Sequence, residues 1–425
     1  MDKIKSFFKK AYEIFDLVLN TIYKGFKFVI DNGGIFIFAL VLLVLAHVAR
    51  MGSMDIVSHD VNGFLRNWYK NFYENGAAAL GYEIGDYTPA YLYFLYFISL
   101  FKFDPQGMEF VHAIKFISIA FDYISAVFVF LIARKFTKNN YLSVACAGLF
   151  LFVPTIFLNA AFWGQCDGIY VSFIIISIYC LLIDKHHLSF LFLGLSFAFK
   201  LQAIFILPIY LILALKGKTK FRYFAYIPLV YVIMAIPSMI FGRSFSSIMN
   251  VYINQTANSY SQLTLNSSTF YALIFHNFQE HLELSQYGVC LAIAITGIFM
   301  YLIYALKVKV ESKQIVTIAL FFAILMPFFM PHMHERYFYL ADAICILYVI
   351  LNPKKVYVAP LVLLPSLMCY MLYLFSISFV NNSMANEEVT LRFGAILYIV
   401  ALIILGKEIF TAPREENKVI DSNLN

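Results

Sequence analysis

The sequence predicts an all-α polytopic membrane protein, and three observations carry that reading. The 425-residue chain is 62% hydrophobic and only 13% charged. Its mean hydropathy is +0.77, and its apolar residues fall into runs long enough to cross a bilayer. A soluble domain of this composition has too little polar surface to cover itself. Lipid supplies the exterior instead, so one helical domain can absorb most of the chain.

The net charge of +6 does not point to nucleic acid, because Lys and Arg lie in short clusters between apolar runs rather than on one stripe. Cys146, Cys166, Cys180, Cys290, Cys345 and Cys369 fall mostly inside those runs, without CxxC pairs or metal-ligand spacing. No disulfide framework and no metal site are expected.

Residues 1–33 carry no cleavable signal pattern. Lys3, Lys5, Lys9, Lys10, Lys24 and Lys27 interleave with Phe7, Phe8, Phe15, Phe26 and Phe28, which suits an amphipathic helix on anionic lipid. An ordinary basic leader that only sets orientation explains the same residues, and both readings stay open. A transmembrane helix needs roughly 20 apolar residues, and the runs 34–52, 110–133, 223–241, 287–306 and 356–379 qualify on length. The shorter runs 141–158, 168–183, 314–331, 336–351 and 391–407 are placed by the excess of Lys and Arg in short cytoplasmic loops.

Two stretches test that placement. If 88–103 crossed, the next run would deliver Arg134, Lys135 and Lys138 to the outside. It is therefore expected to be an interfacial or re-entrant helix on the outer face. The stretch 188–215 has basic clusters at both ends, Lys185-His186-His187 and Lys216 to Arg222. Two short arms, 188–199 and 202–215, satisfy both clusters and leave Lys200 and Gln202 at an outer hairpin tip. The total is about 12 crossings with both termini cytoplasmic. The expected organisation is a cytoplasmic segment 1–33, one membrane domain 34–407 with outer loops 53–109 and 242–286, and a disordered cytoplasmic tail 408–425. No internal repeat is evident.

With the cytoplasmic clusters set aside, the polar groups on the outer side form a short list. The loop 53–109 is long and rich in aromatic and acidic residues, among them Asp60, Trp68, Asp86 and Tyr87, and long ordered loops are usually functional. Asp60 and Asp86 each precede a predicted helix, so an N-cap role competes with a catalytic one. FWGQCDGIY places Trp163, Gln165 and Asp167 at a boundary between spans, and FKLQ places Lys200 and Gln202 at the hairpin tip. MPHMHERYFYLAD brings His332, His334, Glu335 and Arg336 to the mouth of another helix pair. Trp163 also suits an interfacial aromatic belt, Lys200 suits snorkelling to headgroups, and Asp122 within 110–133 suits a structural pair with Lys115. HMHER is not HExxH, and its histidines at i, i+2 do not share a helical face, which argues against zinc. A carboxylate beside several cations fits transfer of a group from a lipid phosphate: the carboxylate activates an acceptor hydroxyl, and Lys, Arg and His hold the departing phosphate. Such a mechanism requires no divalent ion or cofactor.

These residues, in this order, resemble the membrane-embedded GT-C glycosyltransferases that use polyprenyl-phosphate sugars, nearest to bacterial mannosyltransferase-like relatives of the GPI and dolichol-pathway enzymes. The resemblance rests on Asp60-(x)3-Phe64-(x)3-Trp68, GDYTPAY at 85–91, WGQCD at 163–167, AFKLQ at 198–202 and MHERYFYLAD at 333–342. It spans roughly 34–351, and the C-terminal helices are generic. It implies a GT-C-type fold and inverting transfer of a glucose- or mannose-type hexose from a polyprenyl-phosphate donor to an envelope glycan, glycolipid or protein on the outer face of the cell membrane. It assigns Asp60 as general base. Lys200, His334, Glu335 and Arg336, with Gln202 and His332 beside them, are assigned to the donor phosphate. Asp86, Trp68, Tyr87, Gln165 and Asp167 are assigned to the acceptor side or to support of the base. The family often has a second proline in the DYTPP turn, where this chain has Ala90, which leaves the shape of that turn open. Loop 242–286 is a candidate acceptor gate. A transporter or lipid flippase is the main rival, although such folds commonly carry inverted repeats and midplane polar sites. An acyltransferase using His332 or His334 leaves Asp60, Asp86 and Lys200 without roles.

Overall fold

The computed structural model describes residues 2–257, 261–377 and 384–415, and these are helical almost throughout. Helix α1 (Asp2–Asp31) carries Phe15, Leu19, Ile22 and Phe26 one or two turns apart, which gathers them into one apolar stripe; Lys9, Lys24 and Lys27 lie away from it. Its described apolar side chains, among them Phe15, Ile22 and Phe26, are exposed. It continues into α2 (Gly33–Met51). The first long loop then folds into a π-helical turn (Val61–Leu65), α3 (Arg66–Asn75), a 3-10 turn (Gly76–Gly81) and α4 (Pro89–Ser99). The stretch 88–103 is thus an 11-residue helix, about 16 Å long at 1.5 Å per residue and too short to cross a hydrocarbon core alone.

Helix α5 (Met108–Thr137) is the long central strut. After it, α6 (Asn140–Leu151) and α7 (Pro154–Phe157), the latter running on as a π-helical turn to Trp163, meet at a bend of 57°. Pro154 explains the break, because it offers no amide to the preceding turn and disfavours helical backbone at Val153. Helices α8 (Asp167–Leu182) and α9 (His186–Phe199) follow, then a 3-10 turn (Leu201–Ile206) leading into α10 (Leu207–Leu215). Lys200 sits between α9 and the 201–206 turn in extended backbone. Helix α11 (Tyr226–Ile240) precedes α12 (Phe245–Ala257), a helix within the 242–286 loop that the sequence reading left unassigned. The bundle closes with α13 (Leu282–Ala305), α14 (Ser312–Phe329), α15 (Tyr339–Leu351), α16 (Val358–Phe375) and α17 (Met384–Thr411). The expected tail 408–425 begins inside α17, and residues 416–425 lie outside the described residues.

Among the described residues, seven helices are long and apolar enough to cross a membrane, or eight if the bent pair at 140–163 is one span. The chain is an all-α multi-pass membrane protein on that basis. Five further apolar helices, α4, α8, α9, the 201–215 arm and α15, are shorter than 18 residues. The expected count of about 12 crossings therefore exceeds what length and apolarity alone support.

Two internal struts replace pairings expected from the sequence. Asp122 binds Arg50 at 3.0 Å with both side chains fully buried, rather than Lys115. Arg50 also donates to the carbonyls of Ala46 and Leu151, which locks α2, α5 and α6 together. Lys115 instead donates to the carbonyls of Ser53, Met54 and Ile56 at 2.8, 3.2 and 2.6 Å. An ammonium with three donors satisfies three backbone acceptors at once and pins the start of the first loop onto α5.

Candidate functional site

Six chain segments line one cavity. The first loop contributes Asp60, Asp86 and Tyr87, the α7–α8 junction Gly164, Gln165 and Cys166, the break after α9 Lys200 and Gln202, loop 242–286 Asn266 and Phe278, the HER run His334, Glu335 and Arg336, and α16 Tyr373. Short polar contacts fasten them. Thr88 Oγ1 donates to the Ala198 carbonyl at 2.5 Å, drawing the GDYTP turn onto the end of α9. Ser58 Oγ donates to the Trp163 carbonyl at 2.7 Å. A parallel pair of two-residue strands, β1 (Thr264–Leu265) and β2 (Met333–His334), ties loop 242–286 to the HER run. Gly85 and Gly164 lie at φ +59 and +79, where L residues are strained. A Cβ on Gly85 would also come within 2.2 Å of the Trp68 ring.

The segments enclose a cavity of about 260 Å³ whose walls include Asp60, Asp86, Lys200, His334, Glu335 and Arg336, at the small end of ligand sites. Residues 276 positions apart in sequence thus share one chamber. Asp60 stands at the N-cap position of the π-helical turn, but its side chain caps nothing there. Its Oδ2 accepts from Trp163 Nε1 at 3.0 Å and from Gln165 Nε2, and its Oδ1 accepts from Tyr373 OH at 2.7 Å. Asp86 does not cap α4 either, since Thr88 occupies the N-cap position. Trp68 stands on the cavity wall, its ring edge-on to Tyr87 at 5.3 Å.

The cations are held by carboxylates behind them. Lys200 is 5% exposed and forms an ion pair with Asp167, with Tyr87 and Tyr170 rings 5.6 and 5.9 Å from its Nζ. It is buried rather than snorkelling. Asp167, expected on the acceptor side or in a supporting role, does not reach the cavity wall; it sits behind Lys200 and also accepts from Asn159 at 3.0 Å. Arg336 donates to Glu335 at 2.8 Å, lies 3.8 Å from Asp60 and stacks over the Trp163 ring at 5.3 Å. Its Nε makes no hydrogen bond among the described residues and faces Asp167 in a longer ion pair at 3.7 Å. Burial works against its charge, but Glu335, Tyr87, Asp60 and Asp167 outweigh this and push its pKa above the ordinary arginine range. Burial raises the Tyr87 and Cys166 pKa values, and pushes Tyr337 up to about 12.

His332 departs from the expected phosphate set. It lines a neighbouring cavity of about 420 Å³, which shares Gln202 and Tyr337 with the first. Its backbone lies at φ +61, and its Nδ1–H donates to the Gln262 carbonyl at 2.6 Å. Burial lowers its pKa. The reason is the left-handed backbone at His332, which lies just before β2, so its side chain does not share the face of His334 and turns to the Gln262 carbonyl instead. Sequence reasoning missed Tyr373, which comes from α16, and Asn266 and Phe278, which come from loop 242–286. No motif marks them; a tyrosine near the end of an apolar run reads as a belt residue. Trp163, with the same ambiguity, is fully buried and serves Asp60 instead.

No family model matches this chain, and no curated protein is recognisably similar to it.

Proposed function

We propose that this chain is a GT-C-type glycosyltransferase of about 12 crossings, which transfers a hexose from a polyprenyl-phosphate donor to an acceptor hydroxyl on the outer face of the cell membrane. The observation that carries the reading is the chamber shared by Asp60, Lys200, His334 and Arg336, because it joins a carboxylate to two cations. The motif resemblance supports it independently of the geometry.

In this reading the acceptor oxygen attacks the anomeric carbon while the bond from that carbon to the phosphate oxygen breaks. The bonding pair leaves with the polyprenyl phosphate, Asp60 takes the acceptor proton, and the anomeric configuration inverts. Trp163, Gln165 and Tyr373 fix the carboxylate, so little reorganisation remains for the reactive complex. Arg336 meets the leaving phosphate through its Nε, which has no hydrogen bond among the described residues, and Lys200 through the ammonium donors that Asp167 does not use. Donor binding then exchanges the 3.8 Å contact between Arg336 and Asp60 for contacts to phosphate. Asp167 and Glu335 act as positioning residues that keep the two cations aimed.

The test is Asp60→Asn in nanodiscs with a panel of labelled polyprenyl-phosphate hexoses, scoring both sugar transfer and release of free polyprenyl phosphate. Wild type is expected to release the lipid phosphate, and the variant to lose at least about 100-fold in rate. Near-normal turnover in a folded variant would sink the role of Asp60. In proteoliposomes, movement of intact donor across the bilayer without release of lipid phosphate would favour a flippase.

A further inference from the structure

A second polar chamber lies at the opposite end of the bundle, and the proposed reaction leaves it without a role. Helices α5, α8 and α14 run from the Asp60 end to it: Lys135, Leu181, Leu182 and Ser312 stand on its walls. Along α8 the two chambers are separated by roughly 22 Å, at 1.5 Å per residue from Asp167 to Leu182. Its volume is about 720 Å³. Lys135, Lys218, Lys309 and Lys313 face only two carboxylates there, Asp184 and Glu311. Glu311 pairs with Lys309 at 2.6 Å, and Lys218 is spent on the Val310 carbonyl and on Glu415. Lys135 and Lys313 are exposed at its rim and have no carboxylate partner among the described residues.

Three further features make this more than a solvated basic loop. His186 lines the chamber, and its buried Nδ1 makes no hydrogen bond among the described residues. Ser312, Lys313 and Gln314 on the wall form the first turn of α14, an 18-residue helix whose N-cap side chain caps nothing. Amides in a first turn have no acceptor within their own helix, and the helix dipole is positive there. The rim is also built rather than loose: Lys309 N donates to the Pro413 carbonyl and Glu415 N to the Lys307 carbonyl, each at 2.8 Å, and Glu415 pairs with Lys216 at 2.9 Å. Exposed cations on the rim, the first-turn amides of α14 and an imidazole nitrogen without a hydrogen bond among the described residues complement a phosphate group.

We infer that this chamber binds a phosphate-bearing ligand, held by Lys135, Lys313, His186 and the first turn of α14. The site is independent of the sugar-transfer reading. Its position beside the helix ends admits a phospholipid headgroup or a free phosphate, and the test separates them. The full chain is purified into phosphatidylcholine nanodiscs and offered two probes: phosphatidylglycerol, read by lipid adducts in native mass spectrometry, and inorganic phosphate, read by a saturable shift in Tm. At least one probe is expected to bind saturably. Lys135→Ala/Lys313→Ala should weaken it about tenfold or more. Lys135→Arg/Lys313→Arg should retain binding, which controls for folding. Binding of phosphatidylglycerol alone identifies a lipid site, and a shift with inorganic phosphate identifies a site for the free anion. Failure of both probes, or equal binding by the Ala and Arg pairs, overturns the inference and leaves these lysines as orientation signals only.

Discussion

Asp60 draws its three hydrogen-bond donors from two distant segments, Trp163 and Gln165 from the α7–α8 junction and Tyr373 from α16. Tyr373→Phe removes one donor and leaves the ring stacked on Trp163. The expected outcome is a fall in transfer rate of about tenfold with stability changed by no more than about 1 kcal/mol, checked by paired turnover and thermal-unfolding measurements. His332 gives a second residue-scale prediction. Its folded pKa lies below the ordinary value because burial disfavours the charged ring. The unfolded chain therefore binds a proton near pH 6.5 that the folded chain refuses, and the His332 contribution, complete above about 6.5, is lost as pH falls below it. Wild-type Tm should drop more than that of His332→Gln between about pH 6.5 and 5; parallel curves would remove His332 from the account.

Among elements, the Arg50–Asp122 strut shows how a buried charge serves assembly. Helix α2 has an apolar surface that is mostly exposed to the surroundings, so shape alone pins it weakly. Arg50 fixes it by reaching Asp122 on α5 and the Leu151 carbonyl on α6. Arg50→Met leaves Asp122 buried without its cation, at an expected cost of roughly 3–5 kcal/mol, and Arg50→Met/Asp122→Leu should recover most of it. Unfolding midpoints of the single and double variants in detergent check this. The helix pattern was largely legible beforehand: the short arms around Lys200 and the ends of α5, α8 and α14 follow from apolar runs bounded by charge. The pairing of Asp122 was not. Lys115 is two helical turns away on the same helix, the natural guess from sequence, whereas Arg50 is 72 positions distant and meets Asp122 only after α2 packs.

For the whole molecule, the polarity of the bundle is the property to establish. The Asp60 chamber and the Lys135 chamber occupy opposite ends of α8, and the loop-charge reading assigns the first to the outer face. Cysteines introduced at the exposed positions Asn75 and Lys138, in a chain with the exposed Cys290 changed to Ser, test that assignment. A membrane-impermeant maleimide is expected to label position 75 in intact cells and position 138 only after permeabilisation. Labelling of both from one side would refute the two-ended arrangement.

The sequence by itself determined the solvent, the helix runs and the short inventory of polar residues that a lipid-embedded chain keeps. These follow from composition and from local charge, which act over a turn or a loop. It also singled out Asp60, Lys200, His334 and Arg336, because ionisable residues at the margins of apolar runs are costly and therefore conspicuous. Only the tertiary structure decided which of them share a chamber. It moved Asp167 behind Lys200, sent His332 to the neighbouring cavity and recruited Tyr373 from a helix with no motif. Those outcomes depend on register and packing between segments hundreds of residues apart, and no local pattern encodes the direction in which a side chain faces once the helices close.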